Sequence, residues 1–194
     1  KHLRGGSEYI EIDHPLQRAI RAATEEVTGE TVAGYGIDGC SAPNFAMSLA
    51  GLGRAMARFA VASEGGDTRQ RAMARLRRSM AAHPDLVAGD GRACTELMQA
   101  MGGKVALKTG AEAVFVAMLP EQKLGIAMKV EDGNTRASEA ALVGVLTMLG
   151  ALAALIGAGI AGVSLKYMSR ANALLNFSVL KILSLAAYTW LAFQ

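Results

Sequence analysis

Cysteine is nearly missing from this chain: 194 residues contain only Cys40 and Cys94. Neither lies in a Cys-x-x-Cys arrangement, so the sequence offers no complete zinc site and no disulfide framework, and a reducing cytoplasm is the expected compartment. Charge is scarce as well, at 19% of residues, and the net formal charge is only +3. Basic side chains sit among acids along most of the chain. The one basic run is Arg69, Arg71, Arg75, Arg77 and Arg78. Arg71, Arg75 and Arg78 share a helical face, and no aromatic platform accompanies them, so they read as a solvated surface and no nucleic-acid partner is expected. A signal or transit peptide is also lacking. The chain opens abruptly on KHLRGGSEY without an initiator Met, and we expect a C-terminal portion of a longer protein.

Length suits one domain with a sizeable core. Residues 13–29 predict a helix. Asp13 is placed to cap it, Pro15 suits its first turn, Gly29 ends it, and Leu16, Ile20, Ala23 and Val27 give an apolar face. Residues 34–43 predict a glycine-punctuated turn, with Asp38 and Cys40 two apart and able to point the same way in extended backbone. Helices follow over 43–62, over 67–82 with Asp67 as its cap, and over a short stretch at 92–101 with Cys94 in its first turn. Two strands, 104–119 and 122–131, form a hairpin around Pro120-Glu121-Gln122. A last helix runs from about 136 to 150, capped by Asn134 or Thr135. Helices interleaved with a hairpin predict an α+β fold, an antiparallel sheet with helices laid on it.

Lys108 opens a Lys108-Thr109-Gly110 strand segment. Lys-Thr-Gly strands line the cleft of serine acyl-enzymes of the β-lactamase class. Cys94, at a helix start, is either a reactive thiol or a buried inert one. Cys40 reads either as a buried thiol in a tight turn or as a side chain that shares a direction with Asp38, and His83 before Pro84 reads as a helix-end residue rather than a metal ligand.

Four blocks in order carry more than these fragments: DHPLQRAI, GIDGCSAPNFAMSLAGLGRAMARFA, HPDLVAGDGRACTELM and LKTGAEAVFVAMLPEQKLGIAMKVEDGNTRASEAAL. Together they resemble the rhizobial-type L-asparaginase II family over about residues 9–150. The resemblance implies a fold similar to serine β-lactamases and glutaminases. It also implies a cytoplasmic homodimeric amidohydrolase that converts L-asparagine to L-aspartate and ammonia. The family's apparatus is serine–lysine, with an optional zinc ion held by two cysteines and a lysine. Position by position, Lys108 falls on the active-site lysine, Cys40 on a zinc-binding cysteine, and Asp38 on the carboxylate beside it, a substrate-binding candidate. Cys94 matches a further family cysteine to which we assign no chemistry.

The sequence also departs from the family. Its Ser-x-x-Lys nucleophile and its Cys-Ser-Gly-Lys-His block, which would complete a zinc site, belong to a segment not present here. The only Ser-x-x-Lys runs from Ser178 to Lys181 in an apolar tail and reads as coincidence. By itself this chain is therefore expected to be inactive. No Ser-Asp-Asn element supports a β-lactamase-like or glutaminase-like substrate. Residues 141–163 carry no charge and 171–194 carry only Lys181. The alternative is thus a non-catalytic, membrane-associated homologue, anchored through 141–194. We place the asparaginase-like portion at 1–150 and the tail at 151–194, the latter a final helix or strand or a membrane segment.

Overall fold

The computed structural model describes residues 5–149. They form two compact units that divide between Gly133 and Asn134. The larger unit is mixed helix and strand, with antiparallel sheets flanked by helices, as the sequence predicts for an α+β fold.

Helix α1 covers Pro15–Thr28. Pro15 and Gly29 act as the sequence predicts, but the cap is His14 and not Asp13. His14 Nδ1 accepts from the Leu16 amide at 3.1 Å, while the Asp13 carbonyl accepts from Arg18. Gly29 ends the helix with φ 70° and returns its amide to the Glu25 carbonyl. The expected turn at 34–43 is a hairpin, β1 (Tyr35–Ile37) against β2 (Pro43–Phe45). The helix expected from residue 43 therefore begins later. Helix α2 covers Leu49–Val61 because Ser48 accepts the Gly51 amide and caps it there. Helix α3 (Thr68–Ala82) is capped by Asp67 as expected. A short α4 (Pro84–Ala88) and α5 (Ala93–Ala100) follow.

The strand expected over 104–119 is two strands. The chain folds back after Gly110, giving β3 (Ala106–Thr109) and β4 (Val114–Leu119). These pair with β5 (Leu124–Lys129) in the order β3-β4-β5, all antiparallel. The reversal uses Glu112 and Ala113, both left-handed at φ 54° and 55°, and the Gly110 amide closes it on the Val114 carbonyl at 2.7 Å. Two consecutive positive-φ residues match the twist of a tight hairpin.

Helix α2 lies across β4 and β5. Gly125 permits this, since a Cβ there would overlap the backbone of Met56 and Ala57. Met56, Phe59 and Met80 pack around buried Ala60, Ala106 and Met118. Phe59 also reaches a second cluster of Ala62, Met73 and Ala74. Met56 fills core as expected of an α2 methionine, whereas Met47 precedes the helix and is half-exposed. Central strand β4 is buried at Phe115 and from Ala117 to Leu119. In the second unit, α6 (Thr135–Met148) is capped by Asn134, whose side chain accepts from the Ala137 amide.

Among the described residues no helix is long and apolar enough to cross a membrane. The apolar tail from residue 150 onward lies outside the described residues.

Candidate active site

Lys108 sits on β3, an edge strand, directly across from Val116. Along the strand Ala106 and Leu107 are fully buried, and Lys108, which follows them, is exposed. The Lys108 Nζ donates to the Thr109 carbonyl at 2.5 Å. It is therefore a cation at the surface of the sheet, held beside the backbone of its own Lys-Thr-Gly segment.

Cys94 comes next to this strand. The thiol is buried in the first turn of α5, and its Sγ accepts from the Thr109 amide at 3.2 Å. One turn further on, Met98 Sδ accepts from the Leu107 amide at 3.4 Å. Thr95 fixes the approach to α5, donating to the carbonyls of Pro84 and Gly89 at 3.1 and 2.6 Å. The sequence reading left Cys94 without chemistry and did not single out Met98. Their four-residue spacing on one helical face was the available signal.

Asp38 and Cys40 lie in the β1–β2 turn, and both are exposed. Asp38 Oδ1 accepts from the Gly39 amide at 2.8 Å. The Asp38 amide donates to the Ala42 carbonyl at 3.0 Å, and Ser41 takes a left-handed φ of 67°. One Asp38 oxygen thus fixes the turn, and the residue is exposed. Among the described residues, no hydrogen bond or ion pair links Asp38 or Cys40 to Lys108. The structure brings Cys94 to the lysine strand and leaves the Asp38–Cys40 turn on a separate hairpin.

Sequence reasoning missed the latch under that hairpin. Glu30 precedes it and Ser48 follows it. The Glu30 carboxylate accepts from the Ser48 amide at 2.6 Å, from its hydroxyl at 2.8 Å and from Arg54 at 2.9 Å. The Ser48 bonds, seconded by Arg54, hold this carboxyl below the usual glutamate range. A Cβ at Gly51 would meet the same carboxylate and push it from its place.

The basic run is largely engaged within the chain. Arg77 donates to the carbonyls of Phe59 and Ala60 at 2.7 and 2.5 Å, closing the C-terminal end of α2. Burial lowers its pKa. Arg69 pairs with Glu26 at 2.6 Å, and Arg78 pairs with Glu64.

Zinc, which the resemblance implies, takes four ligands in a structural site and at least three from protein in a catalytic one. Among the described residues no group of three or more His, Cys, Asp or Glu side chains is placed to hold a metal ion. Cys40 and Asp38 alone do not make the site.

No curated protein matches the chain. A family model described as L-asparaginase II matches residues 3–170, well over half of its length. The blocks around Asp38, Cys94 and Lys108 all fall within that match, and the chain belongs to the L-asparaginase II family.

Proposed function

We propose that this chain supplies the lysine wall of an asparaginase-type amidohydrolase acting on L-asparagine. The observation that carries the reading is Lys108. It is exposed on an edge strand with Leu107 buried behind it, within a segment matched by the family. An amine in that position accepts a proton from a serine hydroxyl, and an ammonium there stabilises a tetrahedral oxyanion. Either role requires Nζ to exchange its bond to the Thr109 carbonyl for one to the reacting oxygen. The exposed carboxylate of Asp38, held at one oxygen by the Gly39 amide, suits the α-ammonium of an amino-acid substrate.

The 194 residues contain no serine–lysine pair matched to the family nucleophile, so the serine comes from a segment other than these residues. Its assembly as a homodimer in the cytoplasm belongs to the same proposal. The test is Lys108→Met in a polypeptide that joins a Ser-x-x-Lys segment to this chain. Ammonia release from L-asparagine should fall by about 10²-fold or more, the scale of a lost proton-transfer group. Unchanged kcat would remove Lys108 from the mechanism.

A second reading is favoured by the uncharged run at 141–163: a membrane-associated homologue without chemistry. Carbonate-resistant membrane association of the chain would support it, and recovery in the aqueous fraction would reject it.

A further inference from the structure

We propose that Cys94 and Met98 form a pair of sulfur acceptors that ties the outward edge of β3 to α5 and so holds in place the strand that carries Lys108. The proposal rests on the amidohydrolase reading only for what Lys108 then does.

Among the described residues, strand β3 pairs with β4 on one side only. In an antiparallel edge strand, alternate amides point away from the sheet and find no strand partner. In β3 these are the amides of Leu107 and Thr109, and each meets a sulfur. The Leu107 amide donates to Met98 Sδ at 3.4 Å and the Thr109 amide to Cys94 Sγ at 3.2 Å. Both sulfur side chains are buried, Cys94 at 1% and Met98 at 0% exposure.

The spacing explains why one helix serves both amides. Residues four apart on a helix rise about 6 Å. Residues two apart on a strand rise about 6.7 Å. The sulfurs of α5 therefore repeat at nearly the interval of the outward amides. A slip of β3 by one residue would swap its edges together with its faces, so the amides of Ala106 and Lys108 would stand where those of Leu107 and Thr109 now meet the sulfurs. Thioether and thiol sulfurs are weak acceptors, yet a buried amide with no acceptor at all is worse placed. The pair thus closes the outward edge of β3 and ties the strand to α5. Cys94 and Met98 are positioning residues, since neither touches the reacting atoms.

The test is amide hydrogen exchange on the 194-residue chain, read residue by residue by NMR. Met98→Leu keeps the volume and removes the acceptor. It should speed exchange at Leu107 by about five-fold, the factor for one ordinary hydrogen bond, with Ile126 and the α2 amides unchanged. Cys94→Ala should do the same at Thr109, and Cys94→Ser, which restores an acceptor, should recover most of the protection. Two outcomes would overturn the proposal. One is native protection at Leu107 and Thr109 in Met98→Leu and Cys94→Ala. The other is a uniform rise across β3, β4 and β5 with serine no better than alanine, which would mean simple packing. Exchange is read without asparagine, so its result is separate from that of the ammonia assay.

Discussion

Glu30 shows how much a single carboxylate arranges. It joins the two ends of the segment carrying Asp38 and Cys40, because its partners Ser48 and Arg54 lie beyond that hairpin. Its pKa is lowered in the folded chain, first by the Ser48 amide and hydroxyl. A depressed folded value means the stabilisation is complete above the ordinary glutamate range. It is lost as pH falls through the lowered folded value. Amide exchange in the β1–β2 hairpin, corrected for intrinsic rates, should therefore rise on acidification in the native chain. In Glu30→Gln it should be raised already at neutral pH and show no acid step. A hairpin equally protected in both would contradict the latch. Glu112 illustrates the opposite case, a residue in a conformation it does not favour, at φ 54°. Asparagine tolerates that region better, so Glu112→Asn should raise the urea midpoint, by about 0.5–1 kcal/mol of stability. A lower midpoint would show that the bond from Lys129 to the Glu112 carbonyl depends on the native turn geometry.

At the level of elements, α2 packs against α1, α3, β4 and β5. It packs on β5 through Gly125, and Arg77 of α3 caps its last carbonyls. Gly125→Ala should destabilise by about 1–3 kcal/mol or more, because the obstruction is backbone that cannot swing aside. The measurement is the urea midpoint, and an unchanged value would mean that α2 can ride away from the sheet. Helix ends were partly legible in the sequence. Pro15, Gly29, Asp67 and Asn134 act locally, and local chemistry survives in any context. The His14 cap was not legible, because Asp13 is an equally good candidate one residue earlier. The fold-back at Gly110 was missed for a different reason. Val105 and Leu107 alternate, and so do Val114, Val116 and Met118, but the odd interval of seven between Leu107 and Val114 puts the two sets out of phase, a sign of the break that reading one strand through it overlooks; the turn itself uses Glu112 and Ala113 in a conformation neither residue advertises. Arg77 looked like one more surface cation, and only the arrival of α2 at its head gives it a role.

For the whole molecule, the ordered motif blocks revealed the family before the structure did, and the family match over residues 3–170 agrees. Lys108 is exposed on β3, and Cys94 lies against its strand. Asp38 and Cys40 sit on a separate hairpin, a placement that adjacency in a motif cannot foretell because it depends on how the latch seats the turn. The account's central claim is that these residues form one wall of an amidohydrolase whose nucleophile lies elsewhere. Ammonia release from L-asparagine tests it most directly. It should be measured on the purified 194-residue chain and on the same chain joined to a Ser-x-x-Lys segment. The account predicts no enzymatic release by the first and release that depends on Lys108 by the second. Asparagine hydrolysis at an enzymatic rate by the 194 residues alone would contradict it.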